Sequence, residues 1–201
     1  MSADAPPTRL QQDLVNPGPG GQTTALDAFR LARRRFQVPE RIDMSALADE
    51  LGVNRVTLYR WVGSREQLLV EVIWSLARAT LDRIDARVTA RGGERVVQTV
   101  TLFLEAVIAH PGMRRWLGEE GEAAMRLLTR HATDFQPRLI AAMETLLREE
   151  TDAGRLQLEA PLHDVAYVIV RLIESYTYVD LIAGEQPDAR RAEPILRMLL
   201  R

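Results

Sequence analysis

Cysteine is absent from the 201 residues, which excludes disulfides, thiol nucleophiles and Cys-based zinc sites together. Lysine is absent too, all 26 basic residues being arginine, a bias we attribute to a GC-rich coding sequence rather than to function. The only histidines, His110, His131 and His163, form neither His-Glu-x-x-His nor any other metal-ligand spacing. His131 and Asp134 stand three apart at a helix junction, which suits a cap better than a catalytic dyad. Glu119, Glu120 and Glu122 read as a solvated turn. There is no glycine-rich phosphate loop and no Gly-x-Ser-x-Gly elbow. No segment alternates as a strand does, and no internal repeat appears. We therefore expect no catalytic residues, no metal and no cofactor. The opening MSADAPPTRLQQDLV lacks the basic start and apolar run of a signal peptide, so a cytoplasmic protein is expected.

The remaining composition is that of an ordinary globular chain, 46% hydrophobic and 27% charged. Its length allows one domain, or a small domain fused to a larger one. A net charge of −2 argues against a basic coat for nucleic acid, but leaves room for a local basic face. Residues 1–22 contain Pro6, Pro7, Pro17, Pro19 and the run GPGG. Such a segment offers little apolar surface to offset its ordering entropy, and a disordered, mobile arm is expected there.

Beyond it, helical periods dominate. Thr23 or Thr24 caps a helix whose apolar stripe is Leu26, Phe29, Ala32 and Phe36. Asp43 caps a short second helix, with Met44, Leu47 and Leu51 on one side and Gly52 as its stop. Asn54 caps a third over 55–61, and Ser64 with Gln67 forms a capping box opening a fourth that runs to about Thr89. Further helices are expected over 94–109, 113–117, 121–131, 135–152, 161–183 and 188–200. The fold class is all-α.

One stretch asks for an explanation: GVNRVTLYRWVGSREQLL, residues 52–69. A helix, a glycine turn and a second short helix make a helix-turn-helix, which sets its second helix in a DNA major groove. Leu58 and Val62, with Val53, can seat that helix on a core. Asn54, Arg55, Val56, Thr57, Tyr59, Arg60 and Trp61 are left for the outer arc. Arginine can donate two hydrogen bonds to guanine, asparagine can pair with adenine, and a small apolar group such as Val56 can meet a thymine methyl. Thr, Tyr and Trp can donate to phosphates. Arg65, in the first turn of the next helix, sits beside free backbone N–H groups where a phosphate is favoured. The bland alternative is a surface helix whose arginines keep it soluble.

The same residues resemble the DNA-binding half of the TetR family of bacterial repressors, whose signature is similar to Gly-Val-Ser-x-x-Thr-Leu-Tyr-x-His-Phe. Gly52, Val53, Asn54, Thr57, Leu58 and Tyr59 stand in register, with Arg65 where the family has Lys, while Trp61 replaces His and Val62 replaces Phe. The resemblance implies base contacts from the start of the third helix and phosphate contacts from Thr57, Tyr59 and Arg65, with Ser45 approaching the groove. It implies a helix-turn-helix domain over 23–66 and an effector-binding and dimerisation domain over 67–201. Charge agrees mildly: residues 23–80 carry nine Arg against seven acids, or +2, and 81–201 carry 16 Arg against 19 acids, or −3. Arg33, Arg34 and Arg35 are either phosphate contacts or a solvated face.

For the second half, VAYVIVRLIESYTYVDLIA over 165–183 is apolar enough to suggest a membrane span. Arg171, Glu174 and Asp180 argue against one, each costing about 2.5–3.5 kcal/mol at a bilayer centre. Tyr167, Arg171, Glu174 and Tyr178 follow at spacings of four, three and four, so they share a helix face. They are either a self-satisfied ion pair against a neighbouring helix or the polar handles of a pocket. Trp74, Phe103, Val107, Trp116, Met125 and Leu128 are either core or the pocket's apolar wall, with Met125 and Met143 suited to an adaptable wall. The run Arg-x-x-Glu-Ser-x-x-Tyr-x-Asp over 171–180 resembles the family branch that includes regulators of quorum-signal lactone degradation. The expected partners are thus double-stranded operator DNA, a lactone or fatty-acyl-like effector and a second copy of the chain, with no membrane. A hydrolase acting on the signal, and a helical interaction module without DNA binding, are the alternatives.

Overall fold

The structure, a computed structural model, describes residues 6–16, 23–38, 40–130 and 133–200, and every regular element among them is helical. The chain divides into two compact units, Met1–Trp74 and Ser75–Arg201. The division falls inside a helix and eight residues beyond the 66/67 boundary expected from sequence.

Side-chain caps set the helix starts in the first unit. Helix α1 (Arg9–Val15) opens on a capping box in which the Thr8 hydroxyl accepts from Gln11 N–H and the Gln11 side chain accepts from Thr8 N–H. The mobile arm expected over 1–22 is thus corrected for residues 9–15: they are helical, and Leu10 is completely buried. The rest of that expectation falls largely on 1–5 and 17–22, outside the described residues. Thr24 and Asp27 form a second capping box at α2 (Ala25–Gln37). Asp43 caps α3 (Met44–Glu50), accepting from Ala46 N–H at 2.8 Å, and Asn54 caps α4 (Arg55–Val62), accepting from Thr57 N–H at 2.7 Å. Ser64 and Gln67 exchange hydrogen bonds of 3.2 and 2.8 Å ahead of α5 (Arg65–Asp85). Helix α1 packs on α2 and α4, and α2, α3 and α4 pack on one another. The core between them holds Leu10, Ala28, Ala32, Phe36, Leu47 and Leu58.

In the second unit, α6 (Gly92–Ala109) lies against α7 (Pro111–Thr129), α8 (Phe135–Asp152) and α9 (Leu162–Thr177), and α8 packs along α9. Two expected helices, 113–117 and 121–131, form the single α7, kinked at Glu120. The expected helix over 161–183 is instead two, α9 and α10 (Val179–Ala183), parted at Tyr178. There Leu181 seats against Gly121 of α7, where a β-carbon would come within 2.8 Å of its Cδ2. The expected 188–200 helix begins as a 3-10 turn, Ala189–Ala192, before α11 (Glu193–Leu199).

A buried carboxylate ties the start of α6 to the end of α8. Glu150 accepts from Gly92 N–H at 2.7 Å, from Arg95 at 2.6 Å and from Arg155 at 2.6 and 3.0 Å. Arg95 also reaches Asp85 at 2.5 Å and Glu149 at 2.8 Å. The Arg155 hydrogen bonds above all, with Arg95 and the Gly92 N–H, hold the Glu150 carboxyl down to about 2 against the opposing effect of burial.

Candidate nucleic-acid interface and sensor core

Helices α3 and α4 meet through Gly52, whose φ of +66° is the left-handed turn glycine adopts without strain. Leu58 and Val62 point into the core, which turns the opposite arc of α4 outward. Asn54, Arg55, Val56, Tyr59 and Arg60 are all exposed, Val56 to 77%. Among the described residues neither Arg55 nor Arg60 makes an ion pair or a hydrogen bond through its side chain. Arg55 does act at a distance: Asp43's carboxyl sits below its ordinary value, first through its hydrogen bond from Ala46 and in smaller part through the charges of Arg41 and Arg55.

The other residues singled out by sequence are less open. Ser45, Thr57 and Trp61 are half-buried. Asn54 already uses its Oδ1 as the helix cap, so its amide N–H groups are its outward donors. Arg65 is half-buried and donates its Nε–H to the Ile42 carbonyl at 2.7 Å, tying α5 to the entry of α3. Within the arginine triplet, Arg35 is paired with Glu50 of α3 and stands 3.9 Å from Glu40. Sequence reasoning missed α1 altogether, although its Thr8-x-x-Gln11 capping pattern was visible among the prolines.

In the second unit, Phe103, Trp116 and Leu128 are core residues, and Val107 and Met125 are partly exposed. Trp74 is the last residue of the first unit. The four-residue stack on α9 separates: Tyr167 is 44% exposed and Arg171 half-exposed, while Glu174 and Tyr178 are buried. Glu174 pairs with Arg171 and accepts from Gln136 Nε2–H of α8 at 2.9 Å. Burial raises its carboxyl above the ordinary value, against the pull of Gln136 and Arg171. Burial, then the Glu174 charge, likewise raises the Tyr178 hydroxyl. The buried Thr177 hydroxyl beside them has no hydrogen-bond partner among the described residues. A separate groove of about 100 Å³ opens between α5, α6 and α8. It has an apolar floor of Leu81, Met143 and Leu146 and a mouth of Arg78, Asp82, Asp85, Arg95 and Glu149. Of the expected wall residues only Met143 lines it. Among the described residues no group of His, Asp and Glu could hold a metal, and no single helix is long and apolar enough to cross a membrane.

A capped helix-turn-helix with an open outer arc, joined to a second helical unit, defines a DNA-binding transcriptional regulator of the helix-turn-helix class. The chain belongs to the TetR family: residues 91–201 match the family described as "Tetracyclin repressor-like, C-terminal domain". It is similar to the HTH-type transcriptional regulator BetI of Agrobacterium fabrum, with 26% identity over 179 residues, 79% of this chain and 86% of that protein. Its fold is shared with the transcriptional repressor QsdR from R. erythropolis, of the TetR family, at a TM-score of 0.79 and 24% identity over 88% of this chain and 93% of that one. It is shared also with FadR from Bacillus subtilis in complex with stearoyl-CoA, at a TM-score of 0.59 and 12% identity over 87% and 97% of the two chains. Membership in this family of regulators agrees with the expectation that the chain is not an enzyme.

Proposed function

We propose that the chain is a homodimeric repressor that binds a near-palindromic operator through α4 and is released by a small apolar effector of the acyl- or gamma-lactone class. The open, positively charged arc of α4 carries this reading. Arg55 and Arg60 are the guanine readers, Val56 meets a thymine methyl, and the Asn54 amide donates to a base edge. Ser45, Thr57, Tyr59, Trp61 and Arg65 face the phosphates. Two such heads about 34–36 Å apart match successive major grooves on one side of the duplex. Helices α8 and α9 form the dimer contact, and the exposed Tyr167 and Val168 on α9 support it.

The effector enters the second unit among Phe103, Trp116, Leu128 and the Arg171–Glu174–Tyr178 cluster, with Val107 and Met125 completing its wall. Phe103, Trp116, Leu128 and Tyr178 are buried, so an acyl chain entering among them displaces packed side chains, and only a ligand that prefers the displaced state can shift the population off DNA. The stearoyl-CoA complex of FadR supports a fold that can open for a fatty-acyl chain.

A footprint on DNA flanking the chain's own gene, at fixed salt, tests this with a panel of acyl-homoserine and gamma-lactones. The reading predicts a protected near-palindrome that one lactone erases. Protection that no lactone disturbs discards the effector class and keeps the repressor. Lactone consumed during the assay marks a hydrolase instead.

A further inference from the structure

We propose that residues 8–15 are a strut that positions the recognition helix, so that the N-terminal segment governs DNA selectivity without reading a base. The proposal rests on the assignment of α4 to DNA. A seven-residue helix is too short to hold itself together in water, so α1 exists because it is docked. Its docking residue is Leu10, fully buried where α1 packs on α2 and α4. Helix α4, at eight residues, is equally dependent on what it packs against. Its orientation is set by α1, α2 and α3 together.

Two further contacts fix the strut in register. The capping-box Gln11 donates its Nε2–H to Glu71 of α5 at 3.0 Å, and Glu71 is buried. At the C-terminal end of α4 the chain turns at Gly63, where a β-carbon would lie within 2.9 Å of Thr8 Cγ2. Thr8 thus abuts the residue that ends the recognition helix, and Leu10 and Gln11 pin Thr8 there. Loosening this corner frees α4 to tilt. Base contacts need one orientation, whereas the attraction of arginines to phosphates does not. Selectivity therefore falls before general affinity does.

The test uses the full chain and a duplex selected by it from a random-sequence pool, against a scrambled duplex at the same salt. If Leu10→Ala lowers the competent orientation to about a tenth in each head, a two-headed complex loses about a hundredfold on the selected duplex. Binding to the scrambled duplex should stay within about twofold, since the phosphate charge contacts are unchanged. Leu10→Met, which refills the site, should restore the ratio of the two affinities. Gln11→Ala leaves the core filled and should still lower that ratio several-fold. A folded Leu10→Ala or Gln11→Ala chain, judged by its helical circular dichroism, that keeps the native ratio overturns the strut. So does an equal loss on both duplexes. A native chain that selects no sequence overturns the DNA reading itself.

Discussion

Replacing Glu150 by glutamine should cost the second unit about 2–4 kcal/mol. The carboxylate is buried and accepts four hydrogen bonds, from Gly92, Arg95 and twice from Arg155. Glutamine keeps the shape but turns an NH₂ toward a guanidinium that can only donate, leaving donors facing donors. Linkage offers an independent estimate. The carboxyl is held to about 2 in the fold, against about 4.3 in an unfolded chain. At about 1.4 kcal/mol per decade that is at most about 3 kcal/mol. Arg155, 39% exposed, is screened by water, which trims the figure to about 2 kcal/mol. A folded-state value below the unfolded one stabilises fully above about pH 4.5, and the stabilisation drains away as pH falls toward 2. Urea unfolding of both chains, followed by circular dichroism at pH 7 and pH 3, should show a gap that shrinks by about half at pH 3. At 200 residues a melting temperature lower by about 5–12 °C should accompany it at pH 7. A gap below about 0.5 kcal/mol at pH 7, or one that does not narrow at pH 3, refutes the clamp.

Other perturbations have equally definite outcomes. Arg55→Ala should cost about 1–3 kcal/mol and relax specificity at one base pair in a binding-site selection; uniform weakening on all sequences would assign Arg55 to phosphate instead. Gly63→Ala should destabilise by about 1–3 kcal/mol in thermal unfolding, because φ is +71° and the new methyl meets Gln67 and Thr8. Glu174→Gln should change stability at pH 7 by less than about 1 kcal/mol, since losing the Arg171 pair is offset by removing a charge that burial disfavours. Because its folded-state value is raised, the native chain should gain on this variant as pH falls through that value, the opposite sign to Glu150.

Much of the first unit could be read in advance because cap chemistry is local. Asp43, Asn54, Ser64 with Gln67, and Gly52 each act within three residues of the boundary they set, and all four are where the sequence places them. Helix α8 likewise keeps its expected bounds. Helix α1 escaped notice because the prolines around it dominate the composition, while the burial of Leu10 depends on helices further along the chain. The break at Tyr178 is hidden because the apolar run continues straight through it. The Arg95–Glu150 pair joins residues 55 apart, which no local spacing reveals. Arg65 shows the limit of resemblance: the family pattern sets it on phosphate, and the fold adds a hydrogen bond to Ile42.

The most direct test of the regulator assignment is a random-sequence selection with the full-length chain, scored for sequence and for salt dependence. The account predicts enrichment of a near-palindrome with half-sites one helical turn apart, and loss of that enrichment when Arg55 and Arg60 are both replaced by alanine. A pool that stays random after repeated rounds, or a palindrome still enriched by the double variant, would contradict the assignment of α4 to the major groove.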